Sequence, residues 1–233
     1  MIKIQGMQKL TLLDYPGKVA CTLFTSGCNF RCPFCHNAEL VVGTEAPPLS
    51  EEEVLAFLKK RAGLLDGVCI SGGEPLLQRE LGAFLQSVRQ LGYQIKLDTN
   101  GSQPQALKEL VAQGLVDYVA MDIKNAPDKY AKTIGIADID LQPVIESVEF
   151  LLSGAVDYEF RTTVVKELHS PGDFLQIGQW IKGAKRYFLQ GFIDSGSLLT
   201  EGLHGCTPAE MQGFQAVLAP LVPQTALRGV DNI

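Results

Sequence analysis

Apolar residues come in runs of about five, each followed by a longer stretch whose apolar positions recur at helical spacing. The runs VACTLFT (19–25), GVCIS (67–71), YQIKLD (93–98), VDYVAMD (116–122), YEFRTTVV (158–165) and RYFLQGF (186–192) read as strands. Several are apolar almost throughout, as strands covered on both faces of a parallel sheet are. Helical patterns lie between them at EEEVLAFLKKRAGLL, QRELGAFLQSVRQLG, QPQALKELVAQG, LQPVIESVEFLLSG and PGDFLQIGQWIKGA, and TPAEMQGFQAVLAPLV adds a C-terminal one. Ser50 and Glu53 form a capping box ahead of the first. Gly92, Gly114 and Gly154 stand where helices stop.

Six strand-helix units with right-handed crossovers fit an open doubly wound sheet or a curved, incomplete barrel. Periodicity does not separate these, but both gather ligands at the carboxyl ends of the strands. The first four strand ends carry a cysteine loop, SGGEP, DTNGS and DIKN. Each alone reads as an ordinary turn. Together they place polar, glycine-rich residues on one rim. The N-terminal DYPG reads as a turn, and 124–140 as the longest irregular connection. No composition break or repeat divides residues 1–233, which predicts one domain.

Composition narrows the function. A formal charge of -6 leaves no electrostatic footprint for a polyanion, so nucleic acid is not expected as a ligand. No signal-peptide pattern and no bilayer-length apolar run predict a cytoplasmic protein without membrane contact. In that reducing compartment the six cysteines do not read as three disulfides. Cys21 and Cys69 sit in apolar runs and are expected in the core, Cys206 as an inert thiol, and His169 and His204 at the surface.

The remaining three, Cys28, Cys32 and Cys35, fall within SGCNFRCPFCHN. Three thiolates this close suit a soft or borderline metal centre. A zinc site needs a fourth ligand, and His36 directly follows Cys35, an awkward position for the same ion. An electron carrier would shield every iron with four thiolates. A cubane iron-sulfur cluster on three leaves one iron open to a substrate.

CNFRCPFC has the CxxxCxxC spacing of the radical S-adenosylmethionine enzymes, with an aromatic residue, Phe34, before the third cysteine. The chain resembles that family. GGEP is similar to its glycine-rich motif, whose backbone carbonyls take the methionyl amine of the cofactor, an approach that glycine permits. Cys35-His36-Asn37, DTNG at 98–101 and DIK at 122–124 resemble the glycyl-radical-enzyme activases, which include pyruvate formate-lyase activase. QKLTLLDYPGKVACTLFTSGCNFRCPFCHNAELV is most similar to the anaerobic ribonucleoside-triphosphate reductase activating proteins.

The resemblance implies an α/β fold, an incomplete (β/α)6 TIM-like barrel with a short N-terminal extension and a C-terminal helix, forming a single radical SAM domain over 1–233. It implies a [4Fe-4S] cluster on Cys28, Cys32 and Cys35, and S-adenosyl-L-methionine on the iron they leave open. Phe34, Asn37, Gly72, Gly73, Glu74, Asp98, Asn100, Lys124 and Arg161 are the implied cofactor contacts, with Asp122–Lys124 and Arg161 alternatively plain ion pairs. Gln190 stands where pyruvate formate-lyase activase has a histidine-bearing segment. A monovalent cation, Na+ or K+, is implied at Asp98, Thr99, the Ala120 carbonyl and Asp122.

The implied activity is reductive cleavage of the cofactor to methionine and a 5′-deoxyadenosyl radical, which takes a hydrogen atom from a glycine of a partner enzyme. That partner would be a glycyl radical enzyme, anaerobic ribonucleoside-triphosphate reductase first and a pyruvate formate-lyase type second. A flavodoxin or ferredoxin-type donor would supply the electron, and the chain alone would be a monomer. The rivals are a small-molecule radical enzyme such as 7-carboxy-7-deazaguanine synthase, and a non-enzymatic iron-sulfur or zinc module. The second leaves SGGEP and DTNGS unexplained.

Overall fold

The computed structural model describes residues 1–43, 46–194, 196 and 198–230. Its strands are β1 (Ile4–Thr11), β2 (Ala20–Thr25), β3 (Gly67–Gly72), β4 (Gln94–Thr99), β5 (Tyr118–Asp122), β6 (Asp157–Val164), β7 (Tyr187–Gly191) and β8 (Thr225–Arg228). They lie side by side in sequence order. β1 runs antiparallel to β2, and every later neighbour is parallel. β1 and β8 are the free edges, so the sheet is an unclosed barrel.

All six predicted strands are present, and β1 and β8 are additions. β1, with IQGMQKLT half exposed, lacks the apolar run of a buried strand, and β8 spans only TALR. The helices are α1 (Ala38–Val42), α2 (Glu51–Arg61), α3 (Leu81–Gln90), α4 (Pro104–Ala112), α5 (Tyr130–Ile134), α6 (Gln142–Leu152), α7 (Pro171–Trp180) and α8 (Pro208–Leu218). The Ser50–Glu53 capping box forms at α2. Gly92, Gly114 and Gly154 all take positive φ just past α3, α4 and α6. No described helix is long and apolar enough to cross a membrane.

Strand alternation divides the sheet into two chemistries. Val68, Ile70, Ile95, Leu97, Val119, Met121 and Phe160 join Leu85, Val88, Leu107, Val148, Leu151 and Ile177 of the helices in one apolar core. The intervening positions meet inside the barrel and are largely polar. Deepest are Glu159, held by both Arg228 Nη atoms at 2.7 and 3.0 Å, and Tyr118, whose hydroxyl donates to Glu159 at 2.9 Å. Arg228 also lies 3.3 Å over the Phe188 ring. This layer floors the barrel, so the open space is at the carboxyl ends of the strands.

Cys21 and Cys69 are fully buried as expected, and His204 is exposed against Glu167. His169 is a correction to the surface expectation. It is buried, its Nε2 lies 2.9 Å from the Lys124 carbonyl, its Nδ1 meets the Val165 backbone, and its ring stacks on Phe174 at 5.7 Å. It ties the chain after β6 to the chain after β5, a long-range packing role that no local motif announces.

The irregular connection at 124–140 also contains α5, which packs against the cysteine loop. Gly135 caps it at φ 69°, a left-handed conformation, and an added Cβ would lie 2.4 Å from the Arg31 carbonyl oxygen. Gly183 has φ 86° with open space around it. Gly183→Ala should cost about 1 kcal/mol from backbone strain alone. Gly135→Ala should cost clearly more in denaturant unfolding, because the contact adds to the strain; equal losses would show that α5 does not brace the loop.

Candidate active site

The loop from Ser26 to Asn37 leaves β2 and is braced by hydrogen bonds to α1 and α5. Gly27 N–H donates to Leu40 at 2.7 Å in α1, and Arg31 N–H donates to Ile134 at 2.8 Å in α5. The Arg31 guanidinium folds back onto the Cys28 and Phe30 carbonyls at 2.6 and 2.8 Å. Cys28, Cys32 and Cys35 are unbridged thiols that line one pocket with Phe34 and Asn37. Burial pushes the Cys28 thiol up and the Cys32 thiol to about 11, so a metal binding there would displace protons.

Among the described residues no three Cys, His, Asp or Glu side chains are gathered closely enough to hold a single metal ion. His36, considered above as a fourth ligand, instead stacks on Phe192 at 5.6 Å.

The glycine turn after β3 is joined to the cysteine loop chiefly through backbone. Gly73 N–H donates to Thr25 at 2.9 Å and Glu74 N–H to Gly27 at 2.8 Å. A Cβ on Gly73 would lie 2.0 Å from the Gly27 carbonyl, and one on Gly72, at φ 114°, would lie 2.4 Å from Thr25. Asn37 Nδ2 donates to the Gly72 carbonyl at 3.4 Å. Gly72 and Gly73 both line the pocket.

Glu74 does not line it, a correction to its expected cofactor contact. The side chain is fully buried and turned inward, and Oε1 accepts from Leu76 N–H at 3.0 Å and the Thr99 hydroxyl at 2.9 Å. Oε2 accepts from Asn100 N–H at 2.7 Å. Burial raises its carboxyl to about 7 against the pull of these donors. Glu74 therefore fixes the DTNG turn relative to the glycine turn. Asn100, so placed, donates to Asn29 Oδ1 at 3.0 Å and approaches Cys28 Sγ at 3.8 Å.

Above the barrel floor runs an alternating chain of charges. Lys96 contacts Asp98, Arg161 bridges Asp98 at 3.3 Å and Asp122 at 3.0 Å, and Lys124 meets Asp122 at 2.9 Å. Burial opposes ionisation of Asp122, but Arg161 and Lys124 outweigh it and hold the carboxyl at about 2. The Lys124 ammonium and Arg161 guanidinium are in turn kept charged by Asp122 despite their burial. Asp98, Thr99, Asp122, Lys124, Arg161 and Gln190 all line the pocket; Ala120 does not, lying within the sheet between Asp98 and Glu159. Both ion-pair alternatives for these charges are thus realised, inside the pocket wall.

Ser71, Thr163 and Lys96 complete this wall and were not singled out from the sequence. Ser71 donates to Asp98 at 2.9 Å, and Thr163 lines the pocket beside Arg161. The period of two along a strand could have found Lys96 and Thr163, which lie two residues from Asp98 and Arg161 on the same strand face.

An unclosed parallel barrel with a three-thiol loop, a glycine turn and a charged rim on one pocket defines a cofactor-dependent enzyme. Residues 22–169 match the Radical SAM superfamily, and the chain belongs to it. The family implies S-adenosylmethionine and a [4Fe-4S] cluster. A Methanocaldococcus jannaschii protein whose name assigns it to the glycyl-radical enzyme activating enzymes is 30% identical over 195 residues, 81% of this chain and 79% of its own. A pyruvate formate-lyase-activating enzyme of Clostridium pasteurianum is 32% identical over 139 residues, 58% of this chain and 57% of its own. A 7-carboxy-7-deazaguanine synthase of Koribacter versatilis is 32% identical over 157 residues, 66% of this chain and 65% of its own. The structure of Streptococcus suis SuiB bound to S-adenosylmethionine superposes with a TM-score of 0.69 at 13% identity, over 87% of this chain and 48% of that one. The chain spans about half of SuiB, and that likeness bears on the fold.

Glu74→Gln keeps the shape but replaces one acceptor oxygen with a donor, leaving a buried N–H of Leu76 or Asn100, or the Thr99 hydroxyl, opposed. Denaturant unfolding should show a loss of about 1–3 kcal/mol. An unchanged stability would mean that Glu74 does not join the two turns.

Proposed function

We propose that the chain is a glycyl-radical-enzyme activase, a single domain over 1–233 acting in the cytoplasm as a monomer. The observation that carries this is the convergence of Cys28, Cys32 and Cys35 with the glycine turn and the charged rim on one pocket. The donor set fits the cluster: three thiols on one braced loop, with no fourth thiol lining the pocket among the described residues. When bound, the cluster and S-adenosylmethionine would supply reductive carbon–sulfur cleavage and hydrogen-atom abstraction from a glycine Cα, with the electron coming from an external donor.

The chain's own residues bind, orient and exclude water. Cys28, Cys32 and Cys35 would hold the cluster, with Phe34 shielding it. The backbones of Gly72 and Gly73 and the amide of Asn37 would receive the methionyl end, whose carboxylate would face Lys124 and Arg161. Asn100 would keep the Cys28 side of the loop in place, and Gln190 would face the cofactor from β7. A backbone Cα hydrogen is out of reach inside a packed core, so the partner must insert a flexible loop, which an unclosed barrel admits.

The partner we favour is anaerobic ribonucleoside-triphosphate reductase, on the resemblance of the opening segment, with a pyruvate formate-lyase type second. A flavodoxin or ferredoxin-type protein would donate the electron. Because the identity to a 7-carboxy-7-deazaguanine synthase is comparable, the test must separate the two readings. Anaerobically reconstituted protein, incubated with S-adenosylmethionine and dithionite, should release 5′-deoxyadenosine, and Cys32→Ala should lose both cluster and release. Adding the reductase should produce a glycyl radical doublet in its paramagnetic spectrum. Release without a doublet on any glycyl radical enzyme would favour the small-molecule reading, and no release at all would remove the radical one.

A further inference from the structure

The monovalent cation implied by resemblance has no vacant oxygen cage here. Asp98 Oδ1 is taken by Lys96, and Oδ2 by Ser71 at 2.9 Å and Arg161 at 3.3 Å. Asp122 Oδ1 accepts from Arg161 at 3.0 Å and Oδ2 from Lys124 at 2.9 Å. The Thr99 hydroxyl donates to Glu74 at 2.9 Å and accepts from Gly101 N–H at 3.1 Å. Every side-chain oxygen of the implied site already carries a donor. An alkali ion reaches these oxygens only where one of the resident cations is absent.

We infer that Lys96 is a resident cation that takes the place of the alkali ion, so that cofactor binding in this chain needs neither Na+ nor K+. The inference rests on the reading that this pocket takes S-adenosylmethionine. Lys96, Arg161 and Lys124 against Asp98 and Asp122 leave one positive charge in the wall. An alkali ion on the two carboxylates, with an apolar residue at 96, would leave the same total. The ammonium is a one-for-one replacement, and it is permanent. Lys96 is 1% exposed and Asp98 is its carboxylate partner, with Cys69 Sγ 3.8 Å from Nζ, so water does not compete for it. It sits below Asp98 and does not line the pocket, which makes it a positioning residue acting through Asp98 on Arg161.

The test compares the reconstituted, reduced protein in choline, Na+ and K+ buffers, reading cofactor affinity from the change that S-adenosylmethionine makes in the cluster's paramagnetic spectrum. Wild type should bind equally in all three. Lys96→Met should bind about tenfold more weakly in choline and recover in K+, a rescue that a merely structural defect would not show. Wild-type binding that requires Na+ or K+ overturns the inference, as does a variant with no cation dependence. A second measurement needs no cofactor: sodium-23 relaxation of wild type should show no K+-displaceable Na+, and a displaceable ion there overturns the inference even if Lys96→Met fails to fold. Absence of cofactor binding in every buffer would instead count against the activase reading, and the sodium measurement would still decide the cation.

Discussion

The Arg161 guanidinium, set between Asp98 and Asp122, is the interaction on which the pocket depends. It joins the middle of β6 to the carboxyl ends of β4 and β5, strands whose backbone ladders stop close to this rim. Charges this buried are costly unless each finds a partner, and removing one member of such a pair typically costs 3–5 kcal/mol. Here the partners form a continuous chain from Lys96 to Lys124, so both carboxylates stay ionised and the wall keeps a fixed positive excess. A parallel barrel filled with branched aliphatics would have no room for it. This one instead places alternating charge above a floor made by Glu159, Tyr118 and Arg228.

The other half of the site is built by exclusion of side chains. The cysteine loop and the glycine turn approach so closely that no Cβ fits at Gly73, and Glu74 pins the DTNG turn from behind. The three strand ends thereby become one rigid surface. The three thiols, the glycine turn and the charged rim are each carried by a different connection, yet their relative positions follow from hydrogen bonds between those connections. Preorganisation of this kind lets a protein hold a reactive cofactor without reorganising around it.

The six interior strands were legible as short apolar runs set between helical patterns, VACTLFT and GVCIS being apolar almost throughout. β1 and β8 were not, since an edge strand half in water and a four-residue strand leave no such trace. α1 and α5 escaped for a related reason: five residues carry too little periodicity, and both helices exist because they brace the cysteine loop. At the site, Cys28, Gly73 and Asp98 could be read from spacing and strand-end position. The inward turn of Glu74 and the burial of His169 could not, because each is decided by a residue far away in sequence.

Electron-nuclear double resonance on the reduced, reconstituted protein, with S-adenosylmethionine labelled at its amine nitrogen and carboxylate oxygen, tests the central claim most directly. A three-thiol cluster with one open iron predicts strong hyperfine coupling from both labels, lost when any of Cys28, Cys32 or Cys35 is replaced. A cluster that forms but shows no coupling to either label would mean that no iron is open to the cofactor, and would contradict the account.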